Sequence, residues 1–392
     1  MGIVDLGEHG ADFTANPYPY YARLRASGPV HQVRLPGGGE CWLIVGHEEA
    51  RAALADPRLS KSPASIGALM LDEQVVGPYL LVLDPPDHTR LRRLVAREFT
   101  ARRVEGLRPR IQRIADELLD AMVPAGRADL VDALAFPLPI IVICELLGVP
   151  AADRDAFRAW SNEIVAPTGP ESERDAVHGL AAYLDELIED KRCSAPAGDL
   201  LSALVRTRAE DDDRLSAAEL RALAYLLLVA GHETTVNLIS NAVRALLAHP
   251  DQLAELRADS GLLDGAIEET LRYDGPVETA TLRFTATAVP VGDTVIPSGQ
   301  TVLVALAAAD RDPKRFPEPD RFDVRRDARG HVAFGHGIHY CLGAPLARLE
   351  AKIALHTLLT RCPDLAADPS AGPYDWLPGV LIRGVRRLPV RW

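Results

Sequence analysis

Alternating hydrophobic and polar positions predict short strands near both ends of the chain, and longer periodic stretches predict helices between them. Strand patterns occupy residues 32–35 and 40–45, around a Gly37-Gly38-Gly39 turn, and recur at 281–287, 294–296 and 301–306. Helical spacing dominates from residue 48 to residue 273. The fold is therefore predicted to be mainly α with minor β. Because the sheet takes strands from both ends, residues 1–392 are predicted to form a single interlocked domain.

The strongest helical pattern runs from Ser216 to about His249, directly before Pro250. Ser216 and Glu219 form a predicted capping box at its start. At ~1.5 Å per residue this helix is roughly 50 Å long. It is apolar almost all round from residue 222 to residue 230, which predicts burial. Polar residues nevertheless follow at 232–235, and such a conflict inside a buried helix is typical of a functional site.

A second unusual segment reads Phe334-Gly335-His336-Gly337-Ile338-His339-Tyr340-Cys341-Leu342-Gly343 and precedes a predicted amphipathic helix from Ala344 to about Thr360. A cysteine just before a helix N-terminus meets free backbone N–H groups and the positive end of the helix dipole. That environment is expected to lower the pKa of the thiol. The glycines allow tight turns and close approach of the backbone to a flat group. The alternative for Cys341 is a buried structural thiol, a common state of free cysteine.

Composition and charge exclude several classes of protein. The five cysteines are scattered and contain no CxxC pair, which argues against a disulfide framework and against a zinc site. The net charge of −12 argues against a nucleic-acid partner, because a phosphate backbone binds basic surfaces. The N-terminal residues lack a signal-peptide pattern, and no stretch reaches the ~20 apolar residues that span a bilayer. We therefore expect a cytoplasmic chain with no membrane partner.

The cysteine segment resembles the haem-binding signature FxxGxxxCxG of the cytochromes P-450. Glu269-Thr270-Leu271-Arg272 is similar to the ExxR motif of that family, and Pro319-Asp320-Arg321-Phe322 to its later Pro/Arg/Phe motif. The resemblance, which covers nearly the whole chain, implies a single-domain cytochrome P-450 fold, a helix-rich triangular prism with small β-sheets. It also implies a buried salt-bridged triad of Glu269, Arg272 and Arg321 behind the cysteine loop. Alone, ExxR would favour a surface ion pair on a helix.

The resemblance further implies the cofactor and its contacts. The cofactor is heme b (iron protoporphyrin IX), with Cys341 as the axial ligand of the iron; thiolate ligation favours O–O cleavage. Propionate partners and residues beside the ring are implied at His88, Arg92, Arg283, His339, Phe334 and Gly343.

The middle of the long helix is similar to the oxygen-activation segment [AG]Gx[DE]T[TS] of the family. By this resemblance Gly231 leaves room for dioxygen, Thr234 hydrogen-bonds the oxygen being activated, and Glu233 relays protons. Thr234 is also expected to bond back to the carbonyl four residues earlier. His232 is predicted to be a salt-bridged or solvent-facing histidine and not a catalyst.

The implied activity is that of a monooxygenase, in which RH, O2, two electrons and two protons give ROH and water. The sequence contains no GxGxxG-led nucleotide domain and no iron–sulfur cysteine run, so a separate ferredoxin with its NAD(P)H reductase is expected to supply the electrons. The alternatives are a haem-thiolate sensor or carrier, and a peroxide-driven enzyme. The intact pair Glu233-Thr234 counts against both.

The expected substrate is a bulky, mostly apolar natural product. The chain looks most like macrolide-tailoring hydroxylases of actinobacteria and also resembles vitamin D3 hydroxylase, so a steroid or terpenoid is the alternative. The predicted substrate walls are residues 62–82, 160–169, 227–233, 277–280 and 379–381. Arg90, Arg93, Arg97 and Arg348 are predicted to form a basic docking patch for the ferredoxin.

Overall fold

Helices make up most of the described chain. The computed structural model describes residues 2–36, 39–62, 75–97, 99–165, 168–194, 198–206 and 215–392. Within these residues the α-helices are α1 (Gly10–Ala15), α2 (Tyr18–Ser27), α3 (His47–Ala55), α4 (Asp87–Ala96), α5 (Ala101–Gly106), α6 (Arg108–Met122), α7 (Pro137–Leu147), α8 (Arg154–Val165), α9 (Pro170–Cys193), α10 (Leu200–Arg206), α11 (Ala217–Ala248), α12 (Pro250–Ala258), α13 (Leu263–Asp274), α14 (Leu306–Ala309) and α15 (Ala344–Arg361).

The strands form three small sheets. They are β1 (Val4–Asp5), β2 (Val30–Arg34), β3 (Glu40–Ile44), β4 (Leu59–Ser60), β5 (Arg127–Asp129), β6 (Arg283–Thr285), β7 (Val289–Val291), β8 (Thr294–Ile296), β9 (Thr301–Val304), β10 (Ala366–Ala367) and β11 (Pro389–Arg391). The largest sheet has the order β1-β2-β3-β9-β6-β4, so it joins strands from the N-terminal part to strands that follow α13. β3 and β9 run parallel, whereas β2–β3 and β6–β9 are antiparallel. The mixing of early and late strands confirms the prediction of a sheet drawn from distant pieces of chain.

Two predicted strands are shorter than their hydrophobic patterns. The pattern at 281–287 yields only β6, because the carbonyl oxygens of Thr281 and Leu282 accept hydrogen bonds from the ammonium group of Lys61. The pattern at 301–306 ends at Val304, because α14 begins at Leu306. The first strand is therefore shortened by a tertiary contact, and the second by the start of a helix.

The helix α11 crosses the centre of the main hydrophobic core and confirms the predicted start. Its capping box is complete: the Glu219 amide donates to Ser216 Oγ at 3.2 Å, and the Ser216 amide donates to Glu219 Oε2 at 2.8 Å. α11 packs on α7, α9, α13 and α15. Its length and apolar composition would allow it to cross a membrane, but 61% of its most apolar window is buried inside the protein. This is the burial expected of a core helix.

A buried ion-pair network fixes α13 to the segment before the cysteine loop. Arg272 donates to both carboxylate oxygens of Glu269, at 2.7 and 2.8 Å, and neither side chain is exposed. Arg272 also donates to the carbonyl oxygens of Asp310, Pro319 and Arg321. A single guanidinium therefore connects three separate parts of the chain.

The prediction of Arg321 as the third member of the triad is wrong. The side chain of Arg321 is 58% exposed and pairs weakly with Glu318 and Asp323. Arg326 takes its place: its Nε lies 3.2 Å from Glu269 Oε1, and its side chain is only 12% exposed. Arg321 contributes only its backbone carbonyl, because its side chain points away from the core at that turn.

Candidate active site around Cys341

A compact loop places Cys341 at the start of α15. The Gly335 amide donates to Val332 O at 2.7 Å, and the Cys341 amide donates to Phe334 O at 2.9 Å. Gly335 and Gly337 both have a φ of +75°, a conformation that other residues rarely adopt. At Gly337 a Cβ would also lie 3.0 Å from the carbonyl oxygen of Leu54 on α3. The glycines are therefore needed for the path of the loop.

The electrostatics of Cys341 differ from the prediction. The thiol lies deep among other residues yet keeps an open face. Burial raises its pKa, although the amides of Gly343 and Ala344 and the guanidinium groups of Arg92 and Arg348 lower it. The expectation of a lowered pKa is therefore wrong, because desolvation outweighs the helix N-terminus. A thiolate here is favoured by a bound cation, which removes the proton from a coordinating thiol.

Aromatic and ionic contacts support the loop from one side. The Arg348 guanidinium lies 4.4 Å from the centre of the Phe334 ring and donates to Glu268 at 2.6 and 2.9 Å. His331 also donates to Glu268, at 3.1 Å, since its Nδ1 accepts from the Ala333 amide. These partners hold the pKa of Glu268 down to about 2. The charge of Arg348 is thus already compensated inside the protein.

The structure brings together the four predicted propionate partners. The rings of His88 and His339 lie 4.2 Å apart, and Arg92 Nη2 donates to Tyr340 O at 2.5 Å. Arg283 opens β6 and is 4% exposed. In the described part of the chain no hydrogen-bond partner satisfies either ring nitrogen of His88, Nε2 of His339 or Nε of Arg283, all of which are buried. Buried nitrogen atoms without partners are rare and point to an acceptor that a ligand supplies.

The same cluster contains two residues that the sequence patterns missed. Burial, together with the neighbouring groups His88, Arg283 and Lys61, lowers the pKa of His339 to about 3. Asp84 is an acid that faces this cluster, and its charge favours the protonated forms of His88 and Arg283. Neither residue belongs to a recognisable motif, so only the structure reveals them. A group of cations with one carboxylate is suited to bind an anionic ligand.

The open side of α11 carries the predicted oxygen-activation residues. Ala230 is exposed although most of the helix is buried, and Thr234 lies one turn later on the same face. Thr234 Oγ1 donates to Ala230 O at 3.1 Å, which confirms the expected back-bonding. The amide nitrogen of Asn237 donates to Glu233 Oε1 at 3.2 Å and to the Glu233 carbonyl at 2.8 Å. The carboxylate of Glu233 is therefore held in one orientation.

Gly231 has a different role from the predicted one. A Cβ at this position would lie 3.1 Å from Ile143 Cδ1 on α7. The space that Gly231 leaves is therefore filled by a neighbouring helix, and the prediction that it leaves room for dioxygen is wrong. The small side chain on the open face is that of Ala230.

His232 is fully buried, so the prediction of a solvent-facing histidine is wrong. Its Nδ1 lies 2.8 Å from Leu228 O and therefore carries the proton, while Nε2 accepts from Ser161 Oγ at 3.1 Å. Burial lowers its pKa, so the 3.9 Å approach to Glu233 is not an ion pair at neutral pH. His232 connects α11 to α8.

Two predicted substrate walls are neighbours in the structure. The Glu278 amide donates to Leu381 O at 2.9 Å, and Val277 pairs with Ile382 as an isolated bridge. Leu381 remains 43% exposed. In contrast, Trp160 packs on Tyr183 of α9, with ring centres 5.7 Å apart. Residues 63–74 and 166–167 of the other predicted walls lie outside the described residues.

Comparisons with known proteins agree with this geometry. The family model "Cytochrome P450" matches residues 163–366. The cytochrome P450 monooxygenase PikC of Streptomyces venezuelae is 60% identical over 100% of this chain and 94% of its own length. The chain belongs to the cytochrome P450 family. As such, this P450 is a haem-binding monooxygenase, and these relatives come from bacteria.

Further relatives and solved structures extend the likeness. The 6-deoxyerythronolide B hydroxylase of Saccharopolyspora erythraea is 47% identical, over 97% of this P450 and 96% of the relative. The vitamin D(3) 25-hydroxylase of Pseudonocardia autotrophica is 49% identical, over 96% and 94%. The structure of TamI bound to tirandamycin C superposes with a TM-score of 0.89 at 44% identity, over 99% of both chains. These structural neighbours confirm the predicted P450 fold.

The residues of this P450 fit a haem. Four basic side chains lie together, with unsatisfied nitrogen atoms on three of them, as two propionates require. Cys341 would supply the sulfur ligand, and its side chain keeps an exposed face at the start of α15. The donor set thus matches both the acidic edge and the metal of the cofactor.

Proposed function

We propose that this P450 hydroxylates a macrolide or related polyketide, with heme b as the cofactor and Cys341 as the iron ligand. The observation that carries the proposal is the set of buried nitrogen atoms on His88, His339 and Arg283 that have no hydrogen-bond partner among the described residues. Identity of 60% to a monooxygenase, over 94% of the length of that enzyme, supports the reaction class. Haem with thiolate ligation supplies the splitting of dioxygen, one atom of which enters the substrate.

The protein's own side chains bind and orient the cofactor. His88 and His339 bring ring N–H groups to the site, and Arg92 and Arg283 add positive charge. Phe334 lies against Tyr340 of the same loop, with ring centres 6.3 Å apart. These contacts fix the cofactor before any chemistry occurs, which reduces the reorganisation that the reaction requires.

Proton delivery is assigned to Glu233 and Thr234. The Thr234 hydroxyl bonds to its own helix through the hydrogen and keeps its oxygen lone pairs open on the exposed face. Glu233, oriented by Asn237, is partly accessible and directly precedes Thr234 in the same turn. An acid and an alcohol at adjacent positions form a short path for protons between solvent and the reacting oxygen. A sensor or carrier would have no use for this pair.

A large apolar molecule is the substrate that the walls favour. The open face of α11 presents Ala230, and the turn at 379–381 presents Leu381. Glu278 in the adjacent wall is only 3% exposed and its carboxyl group accepts a hydrogen bond from the Tyr21 hydroxyl, so it leaves no exposed charge there. PikC and 6-deoxyerythronolide B hydroxylase are among the relatives, which favours a macrolide over the steroid or terpenoid alternative.

Electrons are proposed to come from an acidic ferredoxin and its NAD(P)H reductase in the cytoplasm. Arg93 and Arg97 are exposed on and just after α4, the helix whose Arg92 contacts the cysteine loop. Two other predicted members of the patch have internal partners: Arg90 pairs with Glu219, and Arg348 pairs with Glu268. The docking patch is therefore proposed to centre on Arg93, which is exposed on α4.

Titration of the ferric protein with three probes tests the substrate class. The probes are 6-deoxyerythronolide B, vitamin D3 and myristic acid, and the readout is the shift of the haem from low to high spin. We expect the macrolactone to bind most tightly and, with ferredoxin and NADPH, to yield a product heavier by one oxygen atom. A shift with vitamin D3 alone would favour the steroid alternative. Binding without any oxygenated product would support a sensor or carrier and contradict the proposal.

A further inference from the structure

Lys61 is a buried lysine in surroundings where a positive charge destabilises the folded protein. It follows β4, is 4% exposed and lies beside the guanidinium group of Arg283. Burial and Arg283 lower its pKa well below the usual range, and Asp84 is the acid that offsets this effect. No ion pair within 4.0 Å is found for its ammonium group among residues that the structure describes. A buried cation in such surroundings is destabilising unless it has a specific function or further anions nearby.

The hydrogen bonds of Lys61 are complete. Its Nζ lies 3.0 Å from Thr281 O, 2.6 Å from Thr281 Oγ1 and 2.6 Å from Leu282 O. An ammonium group has three N–H donors, so three oxygen atoms match a charged lysine. Methionine is unbranched and only one atom shorter but has no donor, and arginine has a planar fork that does not fit three oxygens around one nitrogen.

These contacts connect two functional parts of the P450. Leu282 precedes Arg283, which opens β6, and β6 pairs with β4 directly before Lys61. On the other side, Thr281 follows the substrate wall at 277–280. The Lys61 backbone amide also donates to Asp84 Oδ1 at 2.9 Å, and Ser60 Oγ donates to Oδ2 of the same carboxylate at 2.5 Å. Lys61 thus holds the junction between the wall and the first residue of the propionate strand.

We propose that Lys61 is a positioning residue for the haem and the substrate wall. Its ammonium group fixes the carbonyl oxygens of Thr281 and Leu282, so that Arg283 faces the propionates, and its positive charge adds to the field at the acidic edge of the cofactor. The proposal rests on the haem assignment under Proposed function. Lys61 acts through its neighbours and does not touch the propionates, since all three of its N–H groups bind elsewhere.

The test compares Lys61→Met and Lys61→Arg with Lys352→Met, a matched substitution of an exposed lysine that pairs with Asp264 on the surface. Haem transfer to apomyoglobin should be about tenfold faster in Lys61→Met, the lower end of what loss of an outer partner costs a metal site. Its reduction potential should fall, because a nearby positive charge favours the reduced iron. Hydrogen exchange of a peptide covering 277–282 should also accelerate.

Lys61→Arg should keep the potential close to wild type, because the charge remains, while haem transfer and hydrogen exchange still accelerate. A Lys61→Met variant that matches Lys352→Met in all three measurements would overturn the proposal, even if its thermal stability is reduced. If Lys61→Met does not fold, Thr281→Val decides, since it removes one of the three oxygens: faster haem transfer supports the role, and an unchanged rate refutes it. A wild-type protein without a thiolate-type CO spectrum would instead contradict the proposed function.

Discussion

At the scale of single residues, the hydroxyl group of Thr234 makes one hydrogen bond within its helix and presents its oxygen to the open site. Its hydrogen bonds to Ala230 O, while its oxygen faces the open side of α11. Replacement by alanine should disturb the packing of α11 little, because the side chain lies on that open face. The consequence should therefore appear in the chemistry and not in stability.

We expect Thr234→Ala to retain haem and substrate binding but to lose coupling. Product formed per NADPH consumed should fall by at least about tenfold, with the missing electrons released as peroxide, because general acid catalysis typically contributes a factor of about a hundred or more. Thr235→Ala, a neighbouring hydroxyl that is buried, is the control. Equal coupling in wild type and Thr234→Ala would remove Thr234 from the proton path.

Glu278 makes stability depend on pH. Burial raises its pKa from 4.5 to about 7, against the opposing charge of Arg383, and it accepts a hydrogen bond from Tyr21 at 2.6 Å. Between these two pH values the folded protein keeps the proton, whereas the unfolded chain has released it. The free energy of unfolding should therefore decrease as pH rises from 4.5 to 7, by at most about 1.4 kcal/mol per pH unit from this group.

Glu278→Gln keeps an acceptor for Tyr21 but cannot titrate. Urea unfolding of wild type and variant at several pH values between 5 and 8 checks the expectation. The variant should show a flatter dependence, with the difference confined to the range in which Glu278 loses its proton. Parallel curves would mean that Glu278 does not carry this linkage.

At the scale of elements, the cysteine loop depends on how α13 is joined to the segment before it. Glu269 receives Arg272 from its own helix and Arg326 from the later segment. The side chain of Arg326 also donates to the carbonyl oxygens of Pro317, Glu318 and Arg321. Removal of one partner leaves a fully buried carboxylate with less compensation, which is strongly destabilising.

Two arginine variants distinguish the observed network from the predicted one. Arg326→Leu should lower the free energy of unfolding by about 3 kcal/mol and accelerate haem loss. Arg321→Leu should change it by less than about 0.5 kcal/mol, as for an exposed side chain. Urea titrations followed in the Soret band measure both. The reverse order of effects would restore Arg321 to the triad.

The sequence predicts features that depend on neighbouring residues, but it does not predict which way a side chain points in the folded protein. The capping box of α11 and the helix after Cys341 are predicted from spacing alone, because caps and amphipathic faces depend on residues that are close together in the sequence. Arg321 and Arg326 lie five positions apart in an irregular segment, and nothing in the pattern says which side chain turns inward. The prediction for Gly231 was wrong for the same reason, since a Cβ at this position would face Ile143 and not the open side of α11. Lys61 belongs to no motif, and its partners are 220 residues away in the sequence.

At the scale of the whole molecule, one sheet joins β1–β4 to β6 and β9, and α11 runs through the main core. We infer that the chain folds as one domain, because neither end can complete the sheet without the other. The net charge of −12 makes the exposed arginines near the cysteine loop a local exception. Such an exception on an acidic protein can steer an acidic partner to one face.

Charge reversal at Arg93 should slow reduction by ferredoxin, most clearly at low salt. Exposed charges interact over about 8 Å at physiological ionic strength, so added salt should reduce the difference from wild type. Arg174→Glu, an exposed arginine on α9, is the control, and peroxide-driven turnover should not change in either variant. Reduction rates that coincide with wild type at all salt concentrations would show that docking occurs elsewhere.

The central claim is that Cys341 binds the haem iron through its sulfur, and the CO difference spectrum of the reduced protein tests it most directly. Wild type should show the Soret band at the wavelength that gives the family its name. Cys341→His should still bind haem through an imidazole but lose that band, and Cys341→Ala should lose it as well. A thiolate-type band that persists in Cys341→Ala would contradict the account.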